Sequence, residues 1–318
     1  MNRAKALLGL STLMMAAILL NGVGGSKQPP AGDGNQAAGP DGSKPAYPVW
    51  DGKESVADYA KRAGIKDVQV TLALDGNVTL KLTLIPAGKF MMGSPAKEKG
   101  HFDDEGPQHE VTIDKPFYMG VYHVTKGQFA AFVTGSGYKT EAEKDGKAWG
   151  WDGTKFGDMA GYSWRKTGFE QTDDHPVVNV SWNDAVAFCE WVSKKTGKKV
   201  SLPTEAHWGY AGRAGTKTAY PWGDDPNDGK GWANAADQTA KKTFGASLQY
   251  FSWDDGYAFT SPVGKFKANA FGLYDMIGNA WEWCSDPYEY YPSTNKTDPQ
   301  GPSSGSYGVL RGGGRDPR

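Results

Sequence analysis

Thirteen residues, GLYDMIGNAWEWC from Gly272 to Cys284, constrain this chain more than any other stretch, because they crowd two acids, a Gly-Asn turn and two tryptophans into one loop. On the residues alone two readings stay open. In the first, Asp275 and Glu282 supply carboxylate oxygens while the backbone bent at Gly278-Asn279 turns carbonyls inward, giving the set of about six to eight oxygens that a hard cation such as Ca²⁺ takes. In the second, Asp275 caps backbone N–H groups and Trp281 and Trp283 fill core. The spacing is not that of an EF-hand loop.

The rest of the chain has the same character. Its 43 glycines, 12 tryptophans and 15 tyrosines describe many turns pinned by large aromatic side chains, so little helix is expected. A length of 318 residues suffices for one large domain or two small ones with a sizeable core. With 35 basic and 36 acidic residues the formal net charge is −1, and no global field draws the protein to nucleic acid or to an anionic membrane.

Arg3 and Lys5 precede an apolar run from Leu7 to Leu20 broken only by Ser11 and Thr12, the pattern of a secretory signal. Residues 1–25 are expected to be removed, with small residues at Gly22, Gly24, Gly25 and Ser26 near the cut, leaving an exported, periplasmic or extracellular protein without a membrane span. Residues 26–48, rich in Gly, Pro, Ser, Asp and Gln, are expected to form a flexible linker, and the domain to occupy 49–318. Cys189 and Cys284 could form one disulfide after export or remain two buried thiols; the residues leave that open.

Within the domain, Ser55–Ala63 reads as a short helix and Val68–Leu84 as a hairpin around Asp75-Gly76-Asn77. IPAGKFMMGS reads as a strand leading to a turn, and Glu110–Ile113 and Phe117–Val124 as strands. Thr125 starts a helix carrying Phe129, Phe132 and Val133 on one face. Ser181-Trp182-Asn183-Asp184 forms a capping box for a helix with Ala185, Phe188, Cys189 and Val192 inward, stopped at Gly197. A further short helix is expected after Thr204. Beyond Gly215 the chain reads as nearly all turns and aromatic islands, and such segments usually need an outside organiser. No repeat of fixed period is present.

Taken in order, IPAGKFMMGS, EVTIDKPFYMGVYHVTKGQF, HPVVNVSWNDAVAFCEW, LPTEAHWGYAGRAGT, YPWGD, GLYDMIGNAWEW and VLRGG resemble the formylglycine-generating enzyme family, also called sulfatase-modifying factors, from about Val78 to Gly313. The resemblance implies an α+β domain, a variant of the C-type-lectin-like fold with sparse regular structure, many aromatic- and Gly-rich loops, and calcium holding those loops. It maps one calcium onto the side chains of Asp275 and Glu282 and the carbonyls of Gly278 and Ala280. It maps a second onto Asn234, Ala235, Asp255 and Tyr257, the last three sharing one carboxylate and two carbonyls. Glu105, ahead of Gly106-Pro107, is a further candidate for support near these loops.

In oxidase members of the family, two cysteines shortly after the RGG motif bind Cu(I), and the enzyme uses O₂ to convert a cysteine of a sulfatase peptide to formylglycine; soft thiolates are what Cu(I) selects. Here VLRGGGRDPR has Gly314 where serine is common, and neither the cysteine pair nor the terminal Gly-Phe-Arg strand is present, so copper is not expected and the domain reads as C-terminally incomplete. The missing strand is expected to leave an unpaired sheet edge. By resemblance Cys189 matches a core cysteine that commonly bonds to one near the C-terminus, so neither thiol is assigned a catalytic role. His101, His109, His123, His175 and His207 show no metal-binding spacing and are expected in solvated or capping positions, with His123 and His207 standing where the family often has glutamate.

The expected function is therefore an exported calcium-binding, non-catalytic or differently acting module. Its partner would be a peptide, a sulfatase substrate or a glycan, held by stacking on Trp222, Trp232, Trp253 or Trp281. Two alternatives stand beside it: a fragment of an active formylglycine-generating oxidase, and a domain that assists a partner enzyme.

Overall fold

Helices begin where side-chain caps stand in the sequence. Ser55 caps α1 (Val56–Arg62), Thr125 caps α2 (Lys126–Ser136), Thr140 caps α3 (Glu141–Asp145), Ser181 caps α4 (Trp182–Thr196), Thr204 caps α5 (Glu205–Arg213) and Asp237 caps α6 (Gln238–Phe244). The boxes at Thr125, Thr140 and Ser181 are reciprocal, the residue three positions on reaching back to the cap's N–H; each cap contributes about 1 kcal/mol. α2, α3 and α4 stop at Gly137, Gly146 and Gly197 in the left-handed region.

The computed structural model describes residues 47–245 and 249–313, and the backbone of three short strands, β1 (Ala4–Leu7), β2 (Met14–Ala16) and β3 (Leu19–Leu20). The expected hairpin is β4 (Gln69–Asp75) and β5 (Val78–Ile85), turned at Gly76. β6 (Gly88–Met92), β7 (His109–Ile113) and β8 (Phe117–Gly120) follow, then the hairpin β9 (Lys147–Trp151) and β10 (Phe156–Ala160), β11 (Val200–Ser201), β12 (Trp281–Pro287), β13 (Lys296–Thr297) and β14 (Tyr307–Arg311). They form a five-stranded sheet β11-β3-β8-β5-β4, a four-stranded sheet β1-β14-β12-β2 and a three-stranded sheet β13-β7-β6, besides the β9-β10 hairpin.

Two buried clusters fill the space between these elements. One gathers Phe129, Phe132, Phe188 and Trp191 from α2 and α4 with Leu72, Leu82 and Leu84 of the hairpin and the fully buried Trp283. The other sets Trp208 and Tyr210 of α5 against Val111, Ile113, Phe271 and Cys284. Each large apolar side chain so buried stabilises the fold by about 1.5–3 kcal/mol before entropy is counted. The architecture is α+β with short elements and long loops, as the aromatic and glycine content implies.

Two expectations need correction. The strand expected over Phe117–Val124 ends at Gly120, and Thr125 already caps α2. The stretch beyond Gly215, read as turns, holds α6; its single buried residue, Ala240, leaves no apolar stripe by which periodicity could reveal it. The sheet edge expected to be unpaired carries β1 in the uncut chain, where β14 lies between β12 and β1 with Ala4–Leu7 antiparallel to Tyr307–Leu310. β1, β2 and β3 fall within the segment read as a removable leader, so a chain cut after it lacks all three. The expected cut at Gly22–Ser26 and the linker up to residue 46 lie outside the described residues. Among the described residues no helix is long and apolar enough to cross a membrane.

Candidate functional site

Asn234, Ala235, Asp255 and Tyr257 come together although twenty residues separate the two pairs. The Asp255 carboxylate accepts the Ala235 N–H at 2.8 Å through Oδ2 and the Tyr257 N–H at 2.7 Å through Oδ1. Asp237, the cap of α6, binds the Asp255 N–H in turn. Asn234 is fully buried, and its Nδ2 donates to the Phe259 carbonyl at 2.9 Å and to Asn279 Oδ1 at 3.2 Å, which sets the orientation of the amide. The result is a compact group of amide, carbonyl and carboxylate oxygens with no ring nitrogen or sulfur among its members.

The loop from Gly272 to Cys284 docks beside it. Asp275, Gly278 and Asn279 all have positive φ, at 58°, 80° and 63°. Left-handed Asp and Asn residues cost energy that the surroundings must repay, and here the repayment is hydrogen bonding. The Asn279 N–H donates to the Asn234 carbonyl at 2.8 Å, the Gly278 N–H to the Gly312 carbonyl at 2.9 Å, and Asn279 Oδ1 receives the Ser261 N–H at 2.9 Å. Ala280 and Glu282 converge on Gly312: a Cβ placed there would lie 3.4 Å from the Ala280 carbonyl and 3.6 Å from Glu282 Oε1. The Gly278 carbonyl, by contrast, is taken by the Ala280 N–H at 2.8 Å.

Asp275 and Glu282 are each 2% exposed. Asp275 Oδ2 accepts the Gly264 N–H at 2.8 Å, while its Oδ1 is buried without a hydrogen-bond partner. Glu282 Oε1 accepts the Trp208 indole N–H at 2.9 Å and faces His123 Nε2 at 3.4 Å. The His123 ring is also 2% exposed, and neither of its nitrogens makes a hydrogen bond of acceptable geometry. Burial pushes the His123 pKa down, but the charge of Glu282, joined by that of Asp275, outweighs it and the value ends above the ordinary one. Burial raises the Asp275 carboxyl against the opposing pull of His123. His123 is thus neither solvated nor capping, contrary to the expectation from sequence, and its neighbourhood is acidic.

Among the described residues no group of three His, Cys, Asp or Glu side chains is arranged to hold a metal ion. A cation here would depend on amide and carbonyl oxygens as much as on carboxylates, which is a set that Ca²⁺ accepts and softer ions do not favour. The Asn234–Asp255 group fits that description; the Asp275–Glu282 group includes the His123 ring.

The remaining candidates disperse. Cys189 and Cys284 are free thiols, buried in different core clusters, and burial pushes Cys189 up to about 12 and Cys284 well above its ordinary value. Glu105 binds Ser94 Oγ at 2.6 Å and lines a cavity with Arg213, Tyr291 and Arg311, so its bonded partner is none of the eight oxygen-set residues. His207 is a capping histidine, as expected, its Nδ1 2.7 Å from Thr204 Oγ1. Of the four tryptophans proposed for stacking, Trp253 is buried and already stacked on Phe251, whereas Trp222 stacks on Tyr220 and Trp232 carries Lys267 over its ring. Trp232, Lys267, Asn269, Pro221 and Asp275 line a small cleft. Sequence reading missed Trp208 and His123 as neighbours of Glu282, and nothing in their spacing announces a contact across 74 and 159 residues.

Residues 75–317 match the model of the sulfatase-modifying factor enzyme 1-like domain. The chain is 36% identical over 253 residues to a formylglycine-generating enzyme of Streptomyces coelicolor, covering 72% of this chain and 76% of that protein. It is 37% identical over 258 residues to the formylglycine-generating enzyme of Bos taurus, covering 73% of this chain but 65% of the bovine one. It is also 32% identical over 244 residues to the inactive C-alpha-formylglycine-generating enzyme 2 of Bos taurus, covering 69% and 74%. In structure it resembles PvdO from Pseudomonas aeruginosa with a TM-score of 0.60 at 30% identity, covering 78% of this chain and 87% of that one. Domain model, relatives and fold agree with the residues quoted above: the chain belongs to the sulfatase-modifying factor, or formylglycine-generating enzyme, family.

Proposed function

We propose that this chain is an exported, calcium-stabilised member of the family that binds a peptide or related ligand without carrying out copper-dependent oxidation. The observation that carries the reading is the placement of its two thiols. A Cu(I) site needs two soft ligands side by side, and Cys189 and Cys284 sit in separate buried clusters where burial disfavours the thiolate. Calcium is assigned to the all-oxygen group of Asn234, Ala235, Asp255 and Tyr257, which organises loops otherwise poor in regular structure. The cleft lined by Trp232, Lys267 and Asn269 offers an aromatic face and the exposed Lys267 ammonium to the ligand.

A second reading, an oxidase acting on a sulfatase-peptide cysteine, is favoured by one observation: the relatives called formylglycine-generating enzymes match at 36% and 37% identity, above the 32% of the inactive bovine relative. One experiment separates the two. Purified protein is loaded with Cu(I) under air and incubated with a cysteine-containing sulfatase peptide, and aldehyde is sought with an aminooxy probe. The proposal expects peptide binding with no aldehyde and no retained copper; stoichiometric copper with aldehyde formation overturns it.

A further inference from the structure

We infer that the His123 imidazole fills the cation seat between Asp275 and Glu282, so that the Gly272–Cys284 loop holds no calcium and the chain takes up a single ion, at Asn234, Ala235, Asp255 and Tyr257. The second half of that statement rests on the calcium reading above; the first half stands on the geometry around Glu282.

Calcium approaches its oxygen ligands to about 2.3–2.6 Å and needs about six to eight of them. At Glu282 Oε1 two ring nitrogens already converge, the Trp208 N–H at 2.9 Å and His123 Nε2 at 3.4 Å. The ring is sealed at 2% exposure, so it has no route to swing into solvent and clear the seat. An imidazole nitrogen is a ligand for zinc, copper, iron or nickel and a poor substitute for one of the oxygens calcium requires. A transition ion is not invited instead, because no third side-chain donor of the described residues completes such a site. The Gly278 carbonyl, one of the oxygens the resemblance assigns to the ion, is engaged by the Ala280 N–H at 2.8 Å. At the neighbouring group the bonded partners of the carboxylate are backbone amides and not a ring nitrogen: Asp255 accepts the N–H groups of the very residues whose carbonyls are assigned to the ion.

The loop keeps its shape without an ion for a stated reason. Asn279 is tied to Asn234 and Ser261, and Gly278 to Gly312, so the turn that an ion would otherwise hold is closed by hydrogen bonds to three other segments.

The test counts calcium. Full-length protein stripped with EGTA is titrated with CaCl₂ by calorimetry and, after dialysis, bound calcium is measured by mass spectrometry, for the wild type, His123→Glu and His123→Gln. Circular dichroism confirms that each is folded. The expected result is one equivalent in the wild type and two in His123→Glu, with His123→Gln as the uncharged oxygen-bearing variant should the glutamate variant not fold. Two equivalents in the wild type, or no gain in every folded variant, overturns the inference. A wild type with none and a variant with one leaves His123 as the occupant while refuting the assignment to Asn234–Asp255, so the two failures are distinguishable.

Discussion

The Asn234 carbonyl lies so close above Gly278 that a Cβ on the glycine would come within 2.1 Å of it. This contact, with the Asn279 N–H bonding the same carbonyl, joins the two oxygen-rich loops in an isolated parallel bridge. Neither loop can therefore shift without the other.

Gly278→Ala meets both a steric clash and a backbone at φ 80° that L side chains rarely adopt. It should lower stability by about 2–4 kcal/mol, combining left-handed strain with a forced displacement of backbone. Urea unfolding checks this; a loss below about 0.5 kcal/mol would show that the bridge is soft.

Removing calcium should lower the melting temperature of the wild type, since an ion bound only by the native state stabilises it by mass action. Asp255→Asn should abolish that response, because it deprives the group of its carboxylate. Melting curves with CaCl₂ and with EGTA decide the matter, and curves that coincide for the wild type count against the assignment.

Glu205 and Arg311 form a buried ion pair at 2.5 Å, with the Tyr291 hydroxyl donating to the same Glu205 oxygen at 2.9 Å. Arg311→Met should cost about 3–5 kcal/mol, because it removes the cation from a carboxylate that stays buried. The double change Glu205→Gln with Arg311→Met should recover part of that loss. Chemical denaturation of the three variants measures the coupling directly.

The contributions of Asp298 and Asp286 to stability should fall as pH rises from about 4 towards 7, against the rising contribution of the buried His207, whose pKa burial lowers to about 4. Burial, and then the neighbouring Asp114 carboxyl, push Asp298 up to about 7, and burial pushes Asp286 to about 7 as well. A carboxyl whose folded pKa is raised holds its proton longer in the native state than in the unfolded one, so its contribution is present below the ordinary carboxylate range and lost through pH 7. Asp298→Asn should flatten the Asp298 share of this slope and leave that of Asp286. Thermal melts at pH 5 and pH 8 supply the comparison, and an unaltered slope in the variant would refute the assignment.

Export should yield a mature N-terminus between Gly22 and Ser26. Mass spectrometry of secreted material reads it directly. Retention of residues 4–20 would instead place β1 against β14 in the working molecule and overturn the reading of that segment as a removable leader.

The parts of this protein decided locally were legible before any fold was known. Ser181 with Asp184, Thr125 with Gln128 and the Asp75-Gly76-Asn77 turn act over three or four residues, so their chemistry is readable in order along the chain. α6 escaped because its Asp237 cap lies inside an alanine-rich island and its seven residues bury too little to mark a face. The ordered motifs carried the family, and with it the eight oxygen-bearing residues, but not their electrostatic setting. That setting depended on His123 and Trp208, brought onto Glu282 from the loop before α2 and from within α5. The linear chain thus determined the caps, the turns and the kinds of atoms available; only tertiary packing decided which of those atoms face each other in a buried, low-dielectric space. There a ring nitrogen 3.4 Å from a carboxylate matters more than any spacing along the sequence.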